Sequence, residues 1–246
     1  AEQLWLASYA GTWDGWEWGP YDRDGNPRAD YGLPGTAGYY LDYWKYSGYG
    51  GAVYCEYFSS PRFVDCNFVD NRTYGGVSGV GGSTVPTPDR NLNIENFGGA
   101  VYVGTGSNPE FMGCVFRDNV ADTNTVDTPD DIYVSYGGSI AFEDGCYPKF
   151  TSCTIADSTA TIGGGLWGSN SQVQIVDCNI AGNVGYHGGG MYAEGGDARA
   201  INCTFSGNEG FWGGGGAASA DGSLALTNCV LWGNTRLSGA SRDELG

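Results

Sequence analysis

The chain of 246 residues carries 28 acidic against 11 basic side chains, a formal charge of −17, and 44 glycines alongside 17 tyrosines and 8 tryptophans. That charge repels phosphate backbones and anionic headgroups, which excludes nucleic acid and bilayer surfaces as partners of the chain as a whole. Abundant glycine disfavours helix interiors while aromatic side chains suit pleated surfaces, so the class is all-β.

In chain order, residues 1–48 carry no repeat and are rich in tryptophan and tyrosine. They are expected to form an N-terminal cap or assembly segment, because the first coil of a repeat stack exposes apolar side chains and unpaired strand groups. Within them Asp22, Asp24 and Asn26 around Gly25 resemble the first half of a calcium loop. The closing glutamate is absent, since Leu33 stands at the twelfth position, and a turn between strands is the simpler reading.

Residues 49–246 repeat. Cys66, Cys114, Cys153, Cys178, Cys203 and Cys229 lie in VDCNFVDN, MGCVFRDN, TSCTIADS, VDCNIAGN, INCTFSGN and TNCVLWGN, the last four spaced by 25, 25 and 26 residues. Glycine clusters keep the same beat from Gly50, Gly98, Gly137, Gly163, Gly188 and Gly213. A fixed period of this length predicts a solenoid whose coils bury their apolar faces only by stacking. Three short strands per coil are expected. One is an alternating run such as Ile201, Cys203 and Phe205, one follows the glycines, and one carries a third apolar position such as Phe63, Phe111, Phe150, Ile175 or Leu226.

The six repeat cysteines are expected to form an inward column of thiols, because parallel side chains roughly 4.8 Å apart rarely meet disulfide geometry. Cys55 and Cys146 fall outside the pattern and are the pair to expect if any disulfide exists. Asn71, Asn119, Asn183, Asn208 and Asn234 close the cysteine run at a corner, where asparagine tolerates left-handed backbone and stacks into an amide ladder. Ser158 is predicted to leave one gap.

Two coils are lengthened, near residues 74–97 and 120–136. Both insertions follow the asparagine corner, so both are expected on one edge, where they could build an adhesin's binding surface. The second is acidic, and Asp122, Asp127, Asp130 and Asp131 are candidate calcium ligands. No cofactor other than Ca2+ is expected.

GGAV at Gly50 and Gly98, with FVDN, FRDN and FSGN at Phe68, Phe116 and Phe205, resembles the GGA[ILV] and FxxN repeats of chlamydial polymorphic outer membrane proteins. The resemblance covers about residues 50–240 and implies a right-handed parallel β-helix, here of six to seven coils, on a bacterial surface.

Chemistry is less legible. Asp70, Asp118 and Asp157 share the place before the corner on three consecutive coils. They read first as a solvated turn column helped by Arg72 and Arg117, and second as an acid pair of a glycoside hydrolase. Tyr136, Tyr186, Phe211 and Trp212, ahead of the glycines, read as an exposed strip for sugar faces or as packing. The single histidine, His187, and the only lysines, Lys45 and Lys149, form no cluster, so catalysis is not assigned; an enzyme on this scaffold would be a polysaccharide lyase or glycoside hydrolase.

The polar start at Ala1 and the lack of an 18-residue apolar run suggest a secreted chain without a transmembrane segment. The terminal TRLSGASRDELG predicts an unshielded last coil. The leading expectation is therefore an extracellular structural protein stacking end to end into a filament or surface layer, its partner another copy of itself. The alternatives are a carbohydrate-binding or polysaccharide-degrading solenoid and a cell-surface adhesin.

Overall fold

The computed structural model describes residues 43–55, 57–73, 76–79, 93–122 and 132–237. The chain winds as a parallel β-helix. One coil has four sides, Leu166–Ser169, Gln172–Val176, Asn179–Ala181 and Val184–His187, and each side continues into the coils above and below as an in-register parallel sheet. The first three sides are six strands deep.

The expectation of three strands per coil is corrected to four. The run through Ile201, Cys203 and Phe205 is two strands, Asp197–Ile201 and Thr204–Ser206, broken at Asn202 with φ of 55°. The equivalent residues Asp65, Gly113, Ser152, Asp177 and Asn228 are all left-handed as well, a conformation that glycine, aspartate and asparagine adopt at least cost. The cysteine that follows sits on the corner itself. In every coil its thiol donates to the carbonyl two residues back, from Cys66 to Val64 at 3.3 Å up to Cys229 to Thr227 at 3.3 Å. A small apolar residue with a weak S–H donor is what an inward corner with a freed carbonyl requires.

Inside, three columns fill the core. Val101, Ile140, Leu166 and Met191 come from the first side; Phe111, Phe150, Ile175 and Ala200 from the second; Phe116, Ile155, Ile180 and Phe205 from the third. Volume is traded within a coil: Ala200 on the second side is met by Phe205 and Met191 on the other two. Where phenylalanines follow one another they stack, Phe63 on Phe111 at 5.0 Å and Phe68 on Phe116 at 4.6 Å between ring centres. All eight cysteines are free thiols, and Cys55 and Cys146, the pair to expect had any disulfide existed, both lie in this core. Burial pushes the Cys55 thiol up to about 11. Hydrogen bonds to Cys153 and Cys203, and then burial, hold Cys178 far above the ordinary thiol value.

The asparagine corner is a ladder of buried amides. Nδ2 of Asn183 donates to Asn208 Oδ1 at 3.0 Å and to the Ile155 carbonyl at 2.9 Å, and Asn208 repeats the pattern on Asn234 and Ile180. Asn71 likewise donates to Asn119 at 2.9 Å. The predicted gap at Ser158 is closed instead by a second serine. Ser139 Oγ lies 2.8 Å from Ser158 Oγ and receives Asn119 Nδ2 at 3.3 Å. Ser139 occupies the third place of its glycine cluster, where the asparagine-bearing coils have Ala100, Gly165, Gly190 and Gly216; a Cβ on Gly165 would come within 3.1 Å of Asn183 Cγ. The short corner residue and the longer facing residue therefore belong together.

The two lengthened coils leave the stack within the fourth side. Arg72–Thr73 pairs with Val120–Ala121 before the excursions, and Asn93–Phe97 pairs with Ile132–Tyr136 over five residues after them. Both lines meet Thr159–Ile162. Gly48–Tyr49 already pairs with Asn93–Phe97, and Tyr43–Tyr46 runs antiparallel to Gly76–Gly79. Most of the predicted 1–48 cap, and the interiors of both insertions, lie outside the described residues.

Candidate functional site

Between the fourth side and the first, every coil turns through glycines because there is no room for anything else. A Cβ on Gly138 would lie 2.0 Å from the Gly164 carbonyl oxygen and 2.6 Å from Thr159 N. This tight corner carries one row of outward side chains on each flank. The residue just before the glycines gives Tyr49, Phe97, Tyr136, Ile162 and His187. The second strand residue after them gives Tyr54, Tyr102, Ala141, Trp167, Tyr192 and Ala218.

The rows close over the corner as an aromatic seam outside the core. Tyr49 stacks on Phe97 at 5.3 Å and Phe97 on Tyr136 at 4.8 Å; in the other row Tyr54 stacks on Tyr102 at 5.2 Å. Stacked rings cover one another's faces and offer edges to solvent. The second row is interrupted at Ala141, which stands between Tyr102 and Trp167 with only a methyl group. Trp167 tilts across the break onto Tyr136, at 4.6 Å, and Phe97, at 5.7 Å.

Beside this cluster an open cavity of about 340 Å³ is lined by Phe97, Tyr136 and Trp167 and by Glu95, Thr105, Glu143, Asp144 and Ser169. Thr105 Oγ1 donates to Glu143 at 3.3 Å, and Asp144 accepts from Ser169 Oγ at 2.9 Å and from Asn170 Nδ2 at 3.2 Å. The four ion pairs among the described residues lie elsewhere, on Arg62, Arg72, Arg117 and Lys149, so no described cation offsets the three carboxylates of the cavity. The phenols register the field. Burial, then Glu95 and Glu194, push Tyr136 up to about 12, while burial and a hydrogen bond with Glu143 hold Tyr102 well above its ordinary value. The indole N–H of Trp167 is buried without an acceptor.

Of the binding residues read from the sequence, Tyr136 lines this cavity. Tyr186 and Trp212 do not. Register aligns Tyr136 with Ile162 and His187, so Tyr186 falls one residue out of the row. It packs instead with Phe211, at 6.0 Å, and with Trp212, which is 61% exposed. Phe211 is only 7% exposed, which corrects its expected surface position. Asp70, Asp118 and Asp157 do stand on successive coils, all exposed, with φ of 55°, 54° and 52°; the left-handed corner accounts for the residue type, and Gly182, Gly207 and Gly233 continue it. Arg117 reaches Asp157 at 3.9 Å, but Arg72 pairs with Asp122 at 3.1 Å, not with Asp70.

Asp22, Asp24, Asn26, Asp127, Asp130 and Asp131 lie outside the described residues. Among the described ones, no group of three or more histidine, cysteine, aspartate or glutamate side chains could hold a metal ion, and no helix is long and apolar enough to cross a membrane. Residues 51–236 match the family described as a right handed beta helix region. The chain belongs to that family. No curated protein and no solved structure matches the chain. Within this β-helix, sequence reasoning missed Glu95, Phe97, Glu143, Asp144 and Trp167. The available signal was the pair of positions flanking each glycine cluster, aromatic in most coils and alanine after the glycines in two, at Ala141 and Ala218.

Proposed function

We propose that this β-helix binds a carbohydrate chain along its glycine-corner seam, with one sugar residue seated against Trp167. The observation that carries the reading is the cavity that Phe97, Tyr136 and Trp167 line together with the carboxylates of Glu95, Glu143 and Asp144. Sugars present apolar C–H faces to aromatic groups and hydroxyl donors to carboxylates, and such sites combine a mainly apolar floor with a few placed polar groups. The formal charge of −17 favours neutral or cationic chains over acidic ones. The likeness of the repeats to chlamydial surface proteins supports a place outside the cell, where such polymers are met.

Affinity electrophoresis through gels containing a panel of neutral, acidic and amine-bearing polysaccharides tests the reading. Retardation by at least one polymer, reduced in Trp167→Ala, is the expected result. Unretarded migration in every gel overturns it. Assay of reducing ends in the same samples separates binding from cleavage.

A second reading, end-to-end self-association, is favoured by the last described coil. Its inward column residue Leu231 is 53% exposed, Trp232 is 74% exposed and Val230 57%, whereas Phe68 at the opposite end of that sheet is 7% exposed. An apolar face with unpaired strand edges suits another coil. The reading takes second place because the segments that would make the junction, residues 1–42 and 238–246, lie outside the described residues. Light scattering that stays monomeric up to high concentration, or assembly unaffected by Leu231→Glu, counts against it.

A further inference from the structure

We propose that the cavity beside Trp167 selects a protonated amine, so that the carbohydrate it takes is an amino sugar with a free ammonium group. The inference rests on the carbohydrate reading above and narrows it. Its basis is the balance of donors and acceptors in the lining. The hydroxyls of Thr105 and Ser169 are already spent on Glu143 and Asp144, and the Asn170 amide on Asp144. What remains toward a ligand is mainly carboxylate oxygen, from Glu95, Glu143 and Asp144, with no lysine or arginine among the described lining residues. Ionised carboxylates only accept, so the complementary ligand is rich in donors, and an ammonium supplies three with a full opposite charge.

Phe97, Tyr136 and Trp167 pack together on one side of the cavity, and this apolar cluster limits water around the carboxylates, which strengthens their pairing with a cation. Neighbouring charge strengthens the field, since Glu194 stands close enough to act on both Tyr136 and Tyr192. The remaining donor in the lining, the Tyr136 hydroxyl, matches a hydroxyl oxygen that flanks an amine on a sugar ring. An N-acetylated residue of the same shape brings a neutral amide and loses the charge pairing.

The test compares fully deacetylated and fully N-acetylated glucosamine hexamers by titration calorimetry on the intact chain, at a pH where the free amines are protonated. The deacetylated hexamer is expected to bind about tenfold more tightly, the preference to shrink several-fold in Glu95→Gln and further in the Glu95→Gln/Asp144→Asn double variant, and to vanish as pH rises through the amine pKa. Melting curves of the variants show whether they remain folded. Equal affinity for the two hexamers, or a preference that survives the double variant, overturns the amine assignment while leaving carbohydrate binding intact. Failure to bind either hexamer while another polysaccharide in the panel is bound also overturns it. If nothing in the panel binds, the carbohydrate reading itself falls.

Discussion

The two corners that bound the fourth side are built to opposite specifications. At the asparagine corner everything faces inward: Asn183 and Asn208 are fully buried, each hydrogen-bonded to the coils on either side, and even the exceptional Ser158 is matched by Ser139. At the glycine corner the backbone of adjacent coils touches and the side chains face outward, in two rows that need not be continuous. One corner tolerates no interruption without compensation, since a missing partner leaves a buried polar group unpaired. The other tolerates Ala141, and Trp167 tilts across it onto Tyr136 and Phe97 beside the cavity. Stability is held where the repeat is strict, and recognition is available where it lapses.

The largest effect expected from breaking this contrast comes from Gly138→Ala. Its methyl would be forced to 2.0 Å from a backbone carbonyl oxygen with no flexible side chain to yield, and a loss of about 3 kcal/mol or more, read by urea denaturation, is expected. Asn208→Ala comes next. It strips two donations and leaves the Asn183 backbone N–H and the Ile180 carbonyl without their side-chain partner, for roughly 2 to 4 kcal/mol. Asn234→Ala, which removes the same type of contact nearer the exposed end, should cost clearly less.

The serine pair sharpens the comparison through a double-mutant cycle. Ser158→Asn and Ser139→Gly should each destabilise alone, while together they recreate the Asn183–Gly165 arrangement. A coupling of about 1 kcal/mol or more in favour of the double variant is expected, and strict additivity would contradict the pairing.

The smallest effect is on pH. Tyr136, raised to about 12, and Cys55, raised to about 11, both keep their protons more firmly when folded than when unfolded. Their contribution is therefore intact below the unfolded values near 9 and 10 and is lost as pH climbs through the folded ones. Melting temperature should fall across that alkaline window, and less steeply in Tyr136→Phe.

Much of the architecture was legible because the cysteine, FxxN and glycine signals recur at one spacing. The fourth side was not. Its strands are four residues or shorter in the regular coils, as in Thr159–Ile162 and Val184–His187, and in two coils an insertion splits it. The corner before each cysteine was visible in principle. Asp65, Gly113, Ser152, Asp177, Asn202 and Asn228 are all residues suited to left-handed backbone, but apolar alternation across Ile201, Cys203 and Phe205 mimics a single strand. The cavity was harder still. Ala141 is informative only once register places it between Tyr102 and Trp167, 39 and 26 residues away in the chain. Tyr136 was picked out for preceding glycines, a correct position for an incomplete reason, since Tyr186 shares the neighbourhood and not the row.

Ala141→Tyr tests the separation of inside from outside most directly. A tyrosine there must push aside the Trp167 indole that lines the cavity, while leaving the three inward columns and the asparagine ladder untouched. Measured together on this variant, the melting temperature should fall by a few degrees without loss of the folded state, and polysaccharide binding should be lost. Binding that persists at parental strength in a folded Ala141→Tyr protein would contradict the account.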